Sequence, residues 1–161
     1  MKPYYLNHIT SNFALPLIAK DKIIQLEGYS IMQNKVVTVD GVKNIDPNNV
    51  ADLKKHLAYQ YATIGRYVWL TQDVQCLSVY HDKPEMQSCM VIDTDYIKGL
   101  EKWSDVRQRL LPNNKAREII KGLEYIAVDC GDNPELWWVT KYPISIKNKD
   151  VKVFTNLTKP Y

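Results

Sequence analysis

Between residues 46 and 71 the spacing of apolar side chains changes from helical to extended, and that change fixes the class of fold. Val50, Leu53, Leu57 and Tyr61 recur at three- and four-residue intervals, which predicts an amphipathic helix from Asp46-Pro47 to about Thr63, with Gly65 at its end or in the loop after it. Arg66-Tyr67-Val68-Trp69-Leu70-Thr71 follows at once, a β-branched and aromatic run that reads as a central strand. Upstream, residues 3–8 read as a strand, 12–20 as a short helix capped by Ser11 or Asn12, and 21–24 as a return to strand. Pro16 fits that helix only in its first turn, where a missing N–H costs little. Val36 to Val39 is a strand running into an Asp40-Gly41 turn, and Ser88 to Asp93 is another. Asp93-Thr94-Asp95 is expected to cap a helical stretch through Trp103, and Pro112-Asn113-Asn114 to open a helix up to Gly122. Tyr125 to Val128, Glu135 to Thr140, Pro143 to Ile146 and Val151 to Phe154 read as strands, with Gly131 to Pro134 a loop. Helices fall mainly in the first two-thirds and strands crowd the end. This order favours an α+β domain over alternating βαβ units.

Composition sets the outer bounds. With 45% hydrophobic and 24% charged residues, the 161 residues suit one globular domain spanning 1–161. A net charge of +3 permits binding to an anion without arguing for it. Cys76, Cys89 and Cys130 form no CxxC pair, and His8, His56 and His81 are scattered, so neither a disulfide framework nor a metal site is expected. The opening Met-Lys-Pro-Tyr-Tyr-Leu lacks the pattern of a signal peptide, and no apolar run is long enough to span a bilayer. The expectation is a soluble, reduced, cytoplasmic protein that does not engage a membrane.

His8-Ile9-Thr10 closes the apolar, tyrosine-rich opening strand. A histidine and a hydroxyl two residues apart on a strand point the same way and can meet one polar ligand. Three stretches in order, His8-Ile9-Thr10, Tyr67-Val68-Trp69-Leu70-Thr71 and Pro134-Glu135-Leu136-Trp137-Trp138, resemble the three motifs of ADP-ribosyltransferases. The first is similar in particular to the His-Ile-Thr of the bacterial DNA-targeting ADP-ribosyltransferase toxins. The resemblance implies a split, mainly antiparallel β-core with flanking helices and a cleft for NAD, which would be a substrate; no metal is implied. It implies cleavage of the nicotinamide–ribose bond and transfer of ADP-ribose to a nucleic acid or a host protein, in a bacterial or bacteriophage setting, with an antitoxin or immunity protein as a further partner. Glu135 would then be the catalytic carboxylate, holding a ribose hydroxyl and helping to deprotonate the acceptor. His8 and Thr10 would steady the adenosine-side ribose, and the face shared by Tyr67, Trp69 and Thr71 would offer an aromatic ring to the nicotinamide. These toxins also carry an arginine-bearing loop for their base substrate, and Arg66, Arg107, Arg109 and Arg117 lie in no comparable motif.

Plainer readings stand beside these. Tyr67 and Trp69 also suit a buried strand face, and Trp137 and Trp138 must point to opposite faces. Glu101 and Glu124 are rivals to Glu135, Glu124 the stronger because it too stands at the head of an expected strand. Tyr80-His81-Asp82 has no nucleophile tied to it, Asp93-x-Asp95 reads as a cap before it reads as a cation site, and there is no P-loop or GxGxxG. A non-catalytic nucleic-acid- or protein-binding module, such as a phage-encoded inhibitor, is the alternative; its support is numerous lysines with eleven tyrosines and four tryptophans, although the lysines are spread along the chain. A tRNA 2′-phosphotransferase ranks below both, because the additional arginines and second histidine it requires are not evident.

Overall fold

The computed structural model describes residues 1–28, 35–46, 48–73, 87–129 and 131–155. A six-stranded sheet in the order β10-β6-β1-β5-β8-β7 forms the centre. Its strands are β1 (Tyr5–Ser11), β5 (Val68–Thr71), β6 (Gln87–Asp93), β7 (Glu101–Lys102), β8 (Trp137–Thr140) and β10 (Lys152–Thr155). Every pairing in it is antiparallel. Two small antiparallel pairs accompany it: β2 (Ile23–Ile24) with β9 (Ile144–Ser145), and β3 (Lys35–Thr38) with β4 (Gly41–Asn44). Among the described residues there are also four α-helices: α1 (Leu15–Asp21), α2 (Val50–Ile64), α3 (Trp103–Leu110) and α4 (Asn114–Asp129). The architecture is α+β.

Strand alternation gives the sheet two buried faces. Leu6, Val68, Leu70, Met90, Ile92 and Trp138 pack on one, against Ile18 of α1 and the Ile24–Ile144 pair. Tyr67, Trp69, Trp137 and Val139 lie on the other, under Trp103 and Val106 of α3 and Ile119 and Ile120 of α4. Trp137 and Trp138 divide between the faces as alternation requires. Helix α2 closes a smaller cluster with Val36 and Ile45 through Leu53 and Leu57. Its start is fixed by the Asn49 side chain, which accepts from the Asp52 amide, and its end by Gly65 at φ 101°. In α1, Pro16 lies in the first turn and the Ser11 hydroxyl accepts from the Ala14 amide just before it.

Three elements differ from the sequence expectation. Tyr125 to Val128 is not a strand: α4 runs unbroken from Asn114 to Asp129, with the neighbours Ile126 and Ala127 both buried, as one helical stripe allows and strand alternation does not. Glu124 therefore heads no strand. The helical stretch expected from Asp93 through Trp103 is a single 3-10 turn (Thr94–Tyr96), then the short strand β7. Trp103 begins α3 instead of ending a helix, and the Lys102 side chain supplies no cap to announce it.

Candidate functional site

Strands β1 and β5 are neighbours but share one registered pair, Asn7 with Thr71. Alternate carbonyls of a strand point to the same edge, and three alternate carbonyls at the end of and just before β5 bond to different groups. The Thr71 carbonyl accepts from the Asn7 side-chain amide at 3.1 Å. The Trp69 carbonyl receives Nδ1 of His8 at 3.0 Å, and the Tyr67 carbonyl receives the Glu27 amide at 2.8 Å. Side chains of β1 and a loop amide thus reach this edge where the backbone ladder between the two strands stops. No further pair between the two strands is registered beyond Asn7–Thr71, so the ladder ends at His8.

This placement determines the chemistry of His8. A carbonyl can only accept, so Nδ1 carries the ring proton and Nε2 is left as the acceptor of the neutral ring. Burial lowers the imidazole pKa, against the opposing pull of the Trp69 carbonyl, so the ring is neutral at neutral pH. Nε2 is then suited to accept from a hydroxyl. Thr10 lies on the same face as His8, opposite Ser88 of β6, and is half-buried.

Tyr67, Trp69 and Thr71 share a face, but it is the face opposite His8 and Thr10. The Asn7–Thr71 pair sets this parity, and the two core clusters follow it. Tyr67 is wholly interior: its ring is buried and its hydroxyl donates to the Ile64 carbonyl. Thr71 is also buried, its hydroxyl oxygen accepting from the Asp73 amide at 3.1 Å. Trp69 is half-buried among three rings, with centroids 5.5 Å from Tyr67, 4.9 Å from Trp103 and 5.5 Å from Trp137.

Glu135 lies in a 3-10 turn (Pro134–Leu136) that leads straight into β8, the other neighbour of β5. The Asn133 side chain accepts from its amide at 3.1 Å, and Asp132 bonds to both the Asn133 amide and the Trp137 indole, at 2.7 and 2.9 Å. The backbone is therefore well fixed, while the carboxylate remains exposed. Oε1 of Glu135 accepts from Nη2 of Arg107 at 2.7 Å. Nη1 of the same guanidinium bonds Glu124 at 2.7 Å, and Glu124 also accepts from the buried Trp103 indole at 3.0 Å. These partners, Glu124 first, raise the pKa of Arg107 further, so it is a permanent cation.

Both rivals of Glu135 are committed elsewhere. Glu124 belongs to the inner half of the arginine bridge, and Glu101, on the edge strand β7, pairs with Arg109 at 2.7 Å. Asp93 accepts from the Asp95 amide as a turn cap, and Asp95 pairs with Lys2. Tyr80-His81-Asp82, Cys76 and Cys130 lie outside the described residues. Among the described residues no group of three or more His, Cys, Asp or Glu side chains could hold a metal ion, and no helix is long and apolar enough to cross a membrane.

Sequence reasoning missed Glu27 and gave Arg107 no role. Oε2 of Glu27 accepts from the Trp69 indole at 2.7 Å, whereas Oε1 is buried with no hydrogen-bond partner among the described residues. Burial raises this carboxyl to about 7, opposed by the Trp69 bond, the backbone bond to Tyr67 and the charge of Arg66. Its Leu26-Glu27-Gly28 setting has no periodicity or motif that would mark it. No protein-family model, curated protein or solved structure matches this chain.

Proposed function

We propose that this chain is an ADP-ribosyltransferase that cleaves the nicotinamide–ribose bond of NAD and passes ADP-ribose to a nucleic acid or host protein. One observation carries the reading: three stretches far apart in sequence lie on or at the head of three adjacent strands, β1, β5 and β8, and the first two part at His8. A dinucleotide that touched both His8 and Trp69 would have to cross the sheet at that parting, because the two side chains lie on opposite faces. In this reading neutral His8 accepts a hydroxyl of the adenosine-side ribose through Nε2, with Thr10 beside it. The aromatic contact to nicotinamide falls to Trp69, because the Tyr67 ring and hydroxyl are engaged inside the core. Thr71, also engaged, supports the strand end. Glu135 is the exposed carboxylate on the Trp69 side, suited to hold a ribose hydroxyl while positive charge develops at the anomeric carbon. As the bond to nicotinamide breaks, nicotinamide leaves neutral, the acceptor binds the anomeric carbon, and the acceptor's proton is released.

Nicotinamide release from NAD by the purified chain, with and without host extract, tests this. Release is expected from the parent and should fall by roughly two orders of magnitude in Glu135→Gln, the scale set by loss of a group that stabilises developing charge. No release under either condition would sink the reading. A non-catalytic binding module is the second reading, favoured by the fact that His8 and Glu135 both already have protein partners. Stabilisation by an oligonucleotide with steep salt dependence, and none by NAD, would select it.

A further inference from the structure

We infer that Arg107 is the positioning residue of Glu135, an assignment that rests on the transferase reading above. The bridge it makes is asymmetric. On the inner side, Glu124 is held by two donors, the Arg107 guanidinium and the indole of Trp103, itself completely buried. On the outer side, the carboxylate of Glu135 has Arg107 as its only partner among the described residues, and the Glu135 side chain is 59% exposed against 18% for Arg107. The guanidinium is thus fixed from within and directed outward at a carboxylate that nothing else among the described residues orients. A glutamate side chain with this exposure would otherwise sample several rotamers.

The contact is a poor candidate for a stabilising device. An ion pair with one largely exposed partner contributes about 0–1 kcal/mol. As an orienting device it is well built, because a planar guanidinium has a fixed fork of donors, and here two prongs take different carboxylates. Among the described residues only Oε1 of Glu135 is taken, which leaves Oε2 for a ligand hydroxyl. The backbone beneath is clamped separately by Asn133 and Asp132. Together these constraints fix both the root and the tip of the side chain, as a carboxylate acting on a short-lived cationic centre requires. The arginine sits 28 residues before Glu135 and on a different element, so none of the three sequence motifs contains it.

Steady-state nicotinamide release by the full chain tests the assignment. Arg107→Ala is expected to lower kcat roughly tenfold to a hundredfold, the scale of a displaced catalytic group, with KM for NAD changed less than about twofold. Guanidinium ion added well below denaturing concentrations should restore part of kcat in this variant and leave the parent unchanged. A kcat for Arg107→Ala within about twofold of the parent overturns the assignment, as does a loss that guanidinium leaves untouched. If Arg107→Ala does not fold, Arg107→Lys carries the same test: one ammonium cannot reproduce the fork, so kcat should fall at constant KM, and an unchanged kcat overturns the assignment. A parent that releases no nicotinamide fails the transferase reading itself and removes the assignment with it, an outcome distinct from an active parent indifferent to Arg107.

Discussion

Glu27 is a carboxyl in an environment that disfavours its charge. One oxygen has the Trp69 indole and the other is a buried atom with no hydrogen-bond partner among the described residues, so ionisation places charge on a poorly solvated group. Its pKa stands at about 7 in the fold against 4.5 for the free group. Between those values the folded state keeps a proton that the unfolded chain has lost, so stability falls as pH rises through this window. The contribution is fully present below the unfolded value and gone above about 7. At 1.36 kcal/mol per unit, the full swing is on the order of 3 kcal/mol as an upper bound. Glu27→Gln keeps an oxygen for the indole and cannot ionise. Urea unfolding should find this variant more stable than the parent at pH 8, with the gap narrowing towards pH 5; a gap of constant size at both pH values would refute the argument. Nothing in the sequence around residue 27 could have shown this, because the group that defines it, Trp69, lies 42 positions away.

At the scale of elements, the long periodic segments were legible and the abrupt joins were not. Helix α2 and strands β5 and β6 appear where their apolar spacing placed them, because each has a strong period and recognisable ends. Helix α3 was missed since it starts directly from β7 with no Ser, Thr, Asp or Asn cap to mark it. In α4 the misleading residue was Gly122, which suggests a helix end but has another use. A Cβ built there would lie 2.7 Å from Cγ1 of Val37 and 3.3 Å from Cγ2 of Val42, so the glycine lets α4 seat closely on the β3–β4 pair. Gly122→Ala should therefore destabilise the protein by about 1–3 kcal/mol through overpacking, although alanine is the better helix former by about 1 kcal/mol. Val37→Ala removes the obstructing methyl groups, and the double variant should lose less stability than the sum of the two single losses. Additive losses in that cycle would mean the two residues are not in contact.

At the scale of the whole molecule the six strands form one sheet, and its central neighbours β1 and β5 share one registered pair, with the side chains of Asn7 and His8 bonding to β5 carbonyls beside it. Each motif was visible as a string of residues, but the face it presents was not. The parity that separates His8 from Trp69 depends on which residue of β1 stands opposite Thr71, and a shift of one residue would reverse it. The separation has a measurable consequence for the proposed substrate. In the proposed reading a dinucleotide that crossed between β1 and β5 would touch His8 on one face and Glu135 on the other, and among the described residues these side chains have no partner in common. Ligand binding to the folded state stabilises it by about 2.7 kcal/mol at a hundredfold excess over Kd, so NAD should raise the melting temperature of the parent. His8→Ala and Glu135→Gln should each reduce that rise, and the free-energy losses in NAD affinity should add in the double variant, because separated sites without shared partners act independently. Loss of the entire effect with either single substitution would place both side chains in one contact network, contrary to the two-faced arrangement. No rise in the parent would leave the parting of β1 and β5 as a feature of the sheet alone, with no dinucleotide to cross it.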